Sequence, residues 1–447
     1  TAIDTPHLDR MARNGMKFSR AFVTAPVCST NRSAFITGMY QTSIGAHHHR
    51  SGRGELKITL PAGVELVPQL FQDAGYYTAI SGWPGAPDRK GKTDYNFEWD
   101  ESVYDGVDWS GRADGQPFFA QIQTPGGKLR GANAQSYARI ARRAEAELGS
   151  STSVDVVNLP PYYPNDPVLL ADWAAYLDSV RLTDKMIGEV LAKLEAEGDL
   201  ADTLVLFMTD HGISHARGKQ FLYEEGIHVP LVIQGPGIDP GAVRTDLIEH
   251  IDIAALSLAA AGIEIPATMQ ARDILATDYQ PREAVFSARD RCDETVDYLR
   301  SVRTERFKYI RNYLPERPHL MPNRYKDAKA IIIALRAAHA AGTLTSAQEE
   351  LLFAETRAPE ELYDLTTDPF EMNNLAADPA HATTLRDLRK RLTDWEIATH
   401  DHGRESEAMY DSDMADQLSK VRARQPDQLP VFLGNIEQMK AWDAEGE

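Results

Sequence analysis

Thr203-Leu-Val-Leu-Phe-Met-Thr209-Asp210-His211-Gly212 is the stretch that decides the fold. The apolar run Leu204 to Met208 has no polar alternation, which fits a strand buried on both faces. It ends in Asp210-His211-Gly212, where a buried parallel strand opens onto a ligand crevice. Val229-Pro-Leu-Val-Ile233 reads as a second buried strand. Upstream, Asp166 to Glu197 carries a long helical pattern with Leu169, Trp173, Tyr176, Leu177, Val180, Ile187 and Leu191 among its apolar positions. Helices alternating with such strands indicate an α/β domain.

The N-terminal side fits the same class. Asp4 to Gly15 reads as a short helix, with Pro6 in its first turn and Leu8 and Met11 on one face. Phe18 to Val23 reads as a strand, Cys28 to Gly38 as a helix stopped by glycine, and Val64 to Ala74 as a helix closed by Gly75. Leu159-Pro-Pro-Tyr-Tyr-Pro164 is a loop within this domain. Beyond about residue 275 the runs 284–288, 298–303 and 306–311 are short, alternating and closely spaced, as in an antiparallel sheet. Glu361 to Leu365 adds a further strand candidate, and 326–352 reads as helical. A chain of 447 residues is too long for one simple core. The expected division is a large domain at 1–275 and a smaller α+β domain at 276–447.

Composition narrows the function. With 43% hydrophobic and 25% charged residues, the chain is an ordinary globular protein. A formal net charge of −19 argues against a nucleic-acid binder, which shows a broad basic face. An anionic substrate needs only a few Lys and Arg in one pocket. No apolar run approaches the roughly 18–20 residues that cross a bilayer, and no signal peptide stands at Thr1. Cys28 and Cys292 are the two cysteines, so there is no disulfide framework, and a single bridge between them is the plain alternative. Cys28 precedes a helix start, whose amides favour anions, and Arg32 lies one turn on. That position suits a low-pKa thiol or a modified residue, and equally a buried structural cysteine.

The neighbouring residues carry a resemblance. Cys28-Ser-Thr-Asn-Arg32-Ser-Ala-Phe-Ile-Thr-Gly38 closely resembles the signature of the type I sulfatases, and Thr5 to Phe18 looks like the segment before it. Asp210-His-Gly, Gly218-Lys219 and Tyr223-Glu-Glu-Gly-Ile-His-Val-Pro230 are similar to the second signature, and Glu361 to Leu375 to a C-terminal motif. Together these span nearly the whole chain in order. The resemblance implies an alkaline-phosphatase-like fold, a large mixed sheet between helices with a smaller C-terminal antiparallel sheet. It is similar to the branch of heparan N-sulfatase-like and polysaccharide sulfatases, which implies a sulfated carbohydrate as substrate and a periplasmic or secreted location.

The implied chemistry starts from oxidation of Cys28 to formylglycine by a dedicated modifying enzyme. One hydroxyl of the hydrated aldehyde attacks sulfur and displaces the alcohol or amine. The other loses its proton, sulfate leaves and the aldehyde returns. A divalent metal acts as Lewis acid. By family match, Asp210 and His211 are metal ligands beside the group at Cys28, Arg32 supports the formylglycine, and Lys219 contacts sulfate. Ca²⁺ is the first expectation for the ion; Mg²⁺ remains open, and one imidazole brings Mn²⁺ or Zn²⁺ into range.

Several residues depart from the pattern. His211 replaces a common asparagine and occurs in relatives that cleave phosphonate and phosphate esters, which keeps a phosphonate or phosphodiester hydrolase as the second reading. Gly91-Lys92-Thr-Asp94 stands where the family has Gly-Lys-Trp-His, so Lys92 is a second sulfate contact and the usual proton donor is missing. Phe118 to Pro125 leads to Thr-Pro-Gly-Gly-Lys128 without the family's histidine, and Lys128 is a candidate replacement not placed in the site. His215 is a candidate proton donor. His47, His49 and Arg50, in Ile44-Gly-Ala-His-His-His-Arg50, and Arg289 and Arg291, in Arg289-Asp-Arg-Cys-Asp-Glu294, are candidates for substrate binding. The plain alternatives are a polar loop and surface ion pairs. Adjacent histidines seldom point at one ion, so no metal tract is expected there. Thr30 stands where the modifying enzyme prefers proline, so partial conversion is expected. The family's first strand, ending in two metal-binding aspartates, falls before Thr1, either because the sequence is a fragment or because the element is lost; weakened metal binding is the expectation. The third reading is therefore a non-catalytic binder of sulfated glycans.

Overall fold

The computed structural model describes residues 3–446. The first half forms strands β1 (Met16–Phe22), β2 (Tyr77–Gly82), β3 (Ala86–Lys90), β4 (Phe118–Ile122), β5 (Val205–Met208), β6 (His228–Gln234), β7 (Ala242–Arg244) and β8 (Ile248–Glu249). The principal sheet runs β5-β6-β1-β7, with β8 also on β1. Here β6 is antiparallel to both β1 and β5, whereas β7 and β8 are parallel to β1. A second sheet, β3-β2-β4, pairs β2 with β4 in parallel, Tyr77 opposite Phe118.

The decisive run corrects one expectation. Among the described residues β5 pairs only with β6, antiparallel rather than parallel, and all its residues are half-buried. Its outer side borders a cleft of about 1430 Å³, whose lining includes Phe118, Phe119, Ile187, Leu206 and Phe207. Its apolarity reflects packing instead, because Leu204, Leu206 and Met208 rest on Phe18, Leu231 and Ile233.

Helices place the site against these strands. Helix α1 (Pro6–Asn14) presents its first amides, His7 N–H and Leu8 N–H, to Asp184 at 3.2 and 2.7 Å, a carboxylate where the helix end favours one. Gly15 lets the chain turn into β1: a Cβ there would stand 2.0 Å from the Ile233 carbonyl oxygen. Helix α2 (Cys28–Thr37) is buried over most of its length despite its polar sequence. Ser33 and Thr37 resolve this by donating back to the carbonyls of Ser29 and Ser33, at 2.8 and 2.9 Å. Helices α3 (Val67–Asp73) and α4 (Ala134–Leu148) follow. Then α5 (Pro167–Glu197) is capped by the Asp166 carboxylate on Val168 N–H at 2.7 Å.

The second half forms the expected antiparallel sheet from β9 (Ala284–Arg289), β10 (Leu299–Thr304), β11 (Phe307–Asn312) and β12 (Glu360–Asp364), in the order β12-β11-β10-β9. The helix Ala382–Ala398 covers it with Leu385, Leu388, Leu392 and Trp395. This sheet is stitched to the end of β1: Ala288 N–H donates to the Thr24 carbonyl at 2.9 Å and Ser287 Oγ to that of Val23 at 2.7 Å. One apolar cluster joins Phe22 and Leu222 of the first half to Ile310 and Leu335 of the second. Among the described residues no helix is long and apolar enough to cross a membrane.

Candidate active site

Cys28 opens α2, directly after extended Val27. Its Sγ lies 3.2 Å from His211 Nε2, 3.2 Å from Lys128 Nζ and 3.5 Å from Lys219 Nζ. Burial raises its pKa, but the Lys219 and His211 charges outweigh burial and hold the thiol well below its usual range. Cys292 contrasts with it: buried, accepting from Gln220 Nε2 at 2.9 Å, it is pushed up to about 12 chiefly by burial. Both cysteines are free, so the alternative of a bridge between them is excluded.

Arg32 does not act as a simple neighbour of Cys28. Its Nε and Nη2 grip Asp210 Oδ2 at 3.0 and 2.9 Å, and its Nη1 donates to Lys92 O and Gln123 Oε1. This fork fixes the carboxylate. Burial alone would raise Asp210, but His211 and Arg32 hold it well below the carboxylate range. His211 Nδ1–H donates to the Gly212 carbonyl at 2.7 Å, which turns Nε2 toward Cys28. Asn31 Nδ2 adds a bond to the Asp210 carbonyl at 2.9 Å and sits against His250 Nδ1. The donor atoms of Cys28, Asp210 and His211 fall within 4.8 Å of one another. One carboxylate oxygen, one imidazole nitrogen and the group at position 28 suit a divalent ion.

The remaining candidates separate sharply. Lys219 lies against Cys28, while Lys92 pairs with Asp94 at 2.6 Å and reaches the centre through its own carbonyl on Arg32. Arg50 is exposed beside Asp293 at 3.2 Å, and His49 Nδ1 shares a 2.7 Å hydrogen bond with Ser29 Oγ. His215 is engaged in an interior network: its ring stacks on Trp173 and its Nε2 binds Asp172, which also holds Arg130 at 3.0 Å. Arg289, Arg291 and His47 are likewise held by partners inside the protein. Arg289 is buried on Asp297 at 2.9 Å, Arg291 on Glu405 and Asp413, and His47 on the Gly403 carbonyl at 2.7 Å. Glu405 and Asp413, more than 100 residues from Arg291, neutralise that cation inside the protein, which the local charge pattern does not reveal.

One residue named only as a possible replacement joins the group, and one was missed. Lys128 reaches Cys28 from the turn after β4, where the missing histidine was the only hint. Tyr325 lies under the Lys219 ammonium, 4.8 Å from ring centre to Nζ. Burial raises its phenol, but Lys219 and Lys329 outweigh this and bring it down to about 8.

Comparison with known proteins gives the family and the fold. A sulfatase family model matches residues 1–263, and a model of the C-terminal region of N-sulphoglucosamine sulphohydrolase matches 211–351. An ulvan-active sulfatase of Formosa agariphila is 32% identical over 445 residues, covering 90% of this chain and 72% of its own. Human N-sulphoglucosamine sulphohydrolase is 28% identical, covering 90% of this chain and 87% of its own. The solved structure of BT4656 in complex with its substrate D-glucosamine-2-N,6-O-disulfate superposes with a TM-score of 0.61 at 18% identity, over 90% of this chain and 94% of that one. The chain belongs to the sulfatase family and is a sulfuric ester hydrolase of alkaline-phosphatase-like fold.

Proposed function

We propose that this sulfatase removes sulfate from a sulfated carbohydrate, with Cys28 as the precursor of its nucleophile. The observation that carries the reading is the pair of ammonium groups, Lys128 and Lys219, at 3.2 and 3.5 Å from Cys28 Sγ at the start of α2. In a chain of net charge −19, two converging cations mark an anion subsite. A hydrated aldehyde at position 28 supplies a nucleophilic hydroxyl, and a divalent ion held by Asp210 and His211 supplies a Lewis acid. The chain's own residues do the rest. Lys219 and Lys128 offset charge on the sulfate oxygens, and the α2 amides add a partial positive field. Arg32 and Asn31 hold Asp210 in place, and Gly212 orients His211. Lys128, standing where the family histidine is absent, is the ammonium within reach of a leaving oxygen.

Arg50 and His49 form the nearer wall for the sugar, and Lys92 lies at the mouth. His215, Arg289 and Arg291 position the walls from behind. We read 1–275 as the catalytic domain and 276–447 as the domain that closes the pocket. The relatives named for ulvan and for N-sulphoglucosamine support a polysaccharide or glycosaminoglycan substrate, with which a periplasmic or secreted location agrees. Ion chromatography of sulfate released from ulvan and from N-sulfated glucosamine oligosaccharides tests this. Release from either supports the reading, and turnover of nitrophenyl phosphonate without sulfate release would replace it with the phosphonate hydrolase.

A further inference from the structure

The histidine run holds a feature the sulfate chemistry does not use. His47 and His48 are adjacent in sequence, yet their ring centres stand 4.1 Å apart, and both are 5% exposed. His47 Nδ1 and both nitrogens of His48 are buried without a hydrogen-bond partner among the described residues. Buried imidazole nitrogens left unpaired cost free energy, so three together call for an occupant. Asp290, at the end of β9, is buried beside them, and one donor atom from each of the three residues falls within 4.8 Å of the others.

The surroundings have the form of a metal shell. His47 Nε2–H donates to the Gly403 carbonyl at 2.7 Å, which leaves Nδ1 with its lone pair free, as ligating histidines are usually held. Asp290 accepts from Arg300 Nη1 at 3.0 and 3.1 Å, so its carboxylate is oriented as well. Arg300 is also bound by Asp401, and the neighbouring Arg291 by Glu405 and Asp413. Two guanidinium groups thus orient four carboxyl groups around the pair of rings.

We propose that His47, His48 and Asp290 bind a structural Zn²⁺ ion, distinct from the group around Cys28. Two imidazoles and one carboxylate are a Zn²⁺ donor set, with a water completing four-coordination. The ion would clamp three segments: the loop 44–50, the end of β9 and the loop 401–403. It would thereby steady His49 and Arg50, whose ring and backbone amide both engage Ser29 next to Cys28. Thus adjacent histidines, not expected to share an ion, converge because Asn96 holds the carbonyls of Ala46 and His48 together at 2.9 and 2.7 Å.

The test uses the full chain carrying C28A and D210N, which removes the other candidate centre, loaded with Zn²⁺ alone and dialysed. The proposal requires one retained equivalent by elemental analysis. X-ray absorption should show nitrogen and oxygen neighbours at about 2.0–2.1 Å with imidazole scattering. His48→Ala and Asp290→Asn should each lose that equivalent while keeping the far-ultraviolet circular dichroism of the parent. The same absorption measurement on the unsubstituted chain guards against misfolding of the variants, since it too must show an imidazole-rich, sulfur-free Zn²⁺ population. Absence of bound Zn²⁺ in both proteins would overturn the proposal, leaving water as the occupant. A sulfur neighbour at about 2.3 Å in the C28A/D210N chain would overturn it in favour of the His49–Cys292–Asp293 group, whose donors also lie within 4.8 Å.

Discussion

Lys219→Ala is the substitution that bears most directly on the anion subsite. Lys219 is 4% exposed, its Nζ is 3.5 Å from Cys28 Sγ, and it lies over the Tyr325 ring. A unit charge at about 3.5 Å is worth roughly 5 kcal/mol at an effective dielectric of about 20. That is an upper bound, because Lys128 remains at 3.2 Å and takes up part of the charge. Removing one preorganised donor from such a site costs about 10²–10³ in kcat, or ~3–4 kcal/mol. We expect Lys219→Ala to fall in that range toward nitrophenyl sulfate, with Lys219→Met close to it. The methionine variant keeps the volume and so separates charge from packing. The comparison is of kcat and KM for protein from a host that has the modifying enzyme, with thermal midpoints as the control for folding. A folded Lys219→Ala or Lys219→Met whose kcat/KM stays within about threefold of the parent, under ~1 kcal/mol, would refute the assignment.

Other expectations follow from the same geometry. A tyrosinate step near pH 8 should appear in ultraviolet titration and vanish in Tyr325→Phe. Because the folded phenol sits below its ordinary value of about 10, the parent should gain roughly 2–3 kcal/mol over Tyr325→Phe as pH rises from 8 to 10, and lose it again as pH falls through 8. Asp172→Asn leaves buried Arg130 without its carboxylate, and should lower stability by about 3–5 kcal/mol in urea unfolding at unchanged slope. In Gly212→Ala a Cβ would stand 1.8 Å from the Glu225 carbonyl oxygen, so the chain must move and displace His211. A shift of about 1 Å there should cost at least ~10²-fold in kcat, measured with nitrophenyl sulfate.

Local pattern carried much of this molecule. The Asp4–Gly15 helix, the glycine-stopped helix after Cys28 and the closely spaced strands beyond 284 all form, because each depends on turn residues and periodicity within its own segment. The centre was legible where a short motif places it: Cys28, Arg32, Asp210, His211 and Lys219 lie together. What failed was long-range. Nothing within 203–209 tells a central strand from an edge strand, since that depends on what lies beside β5. Arg291 could be read only as a substrate contact or a surface ion pair, because its partners Glu405 and Asp413 are more than 100 residues away. Nothing near His215 in the sequence shows that Asp172 and Trp173, on α5, face it. Lys128 was undervalued for the opposite reason: the turn after β4 delivers an ammonium where a histidine was sought.

The central claim is that position 28 carries the nucleophile as a modified cysteine. Trypsin releases this position within Ala21–Arg32. Mass spectrometry of that peptide, from protein made alongside the modifying enzyme, tests the claim most directly. The account predicts a fraction in which the thiol has become an aldehyde, trapped by a hydrazide and rising in step with sulfate release. A peptide that carries only the unmodified thiol, from a preparation that still releases sulfate, would contradict it.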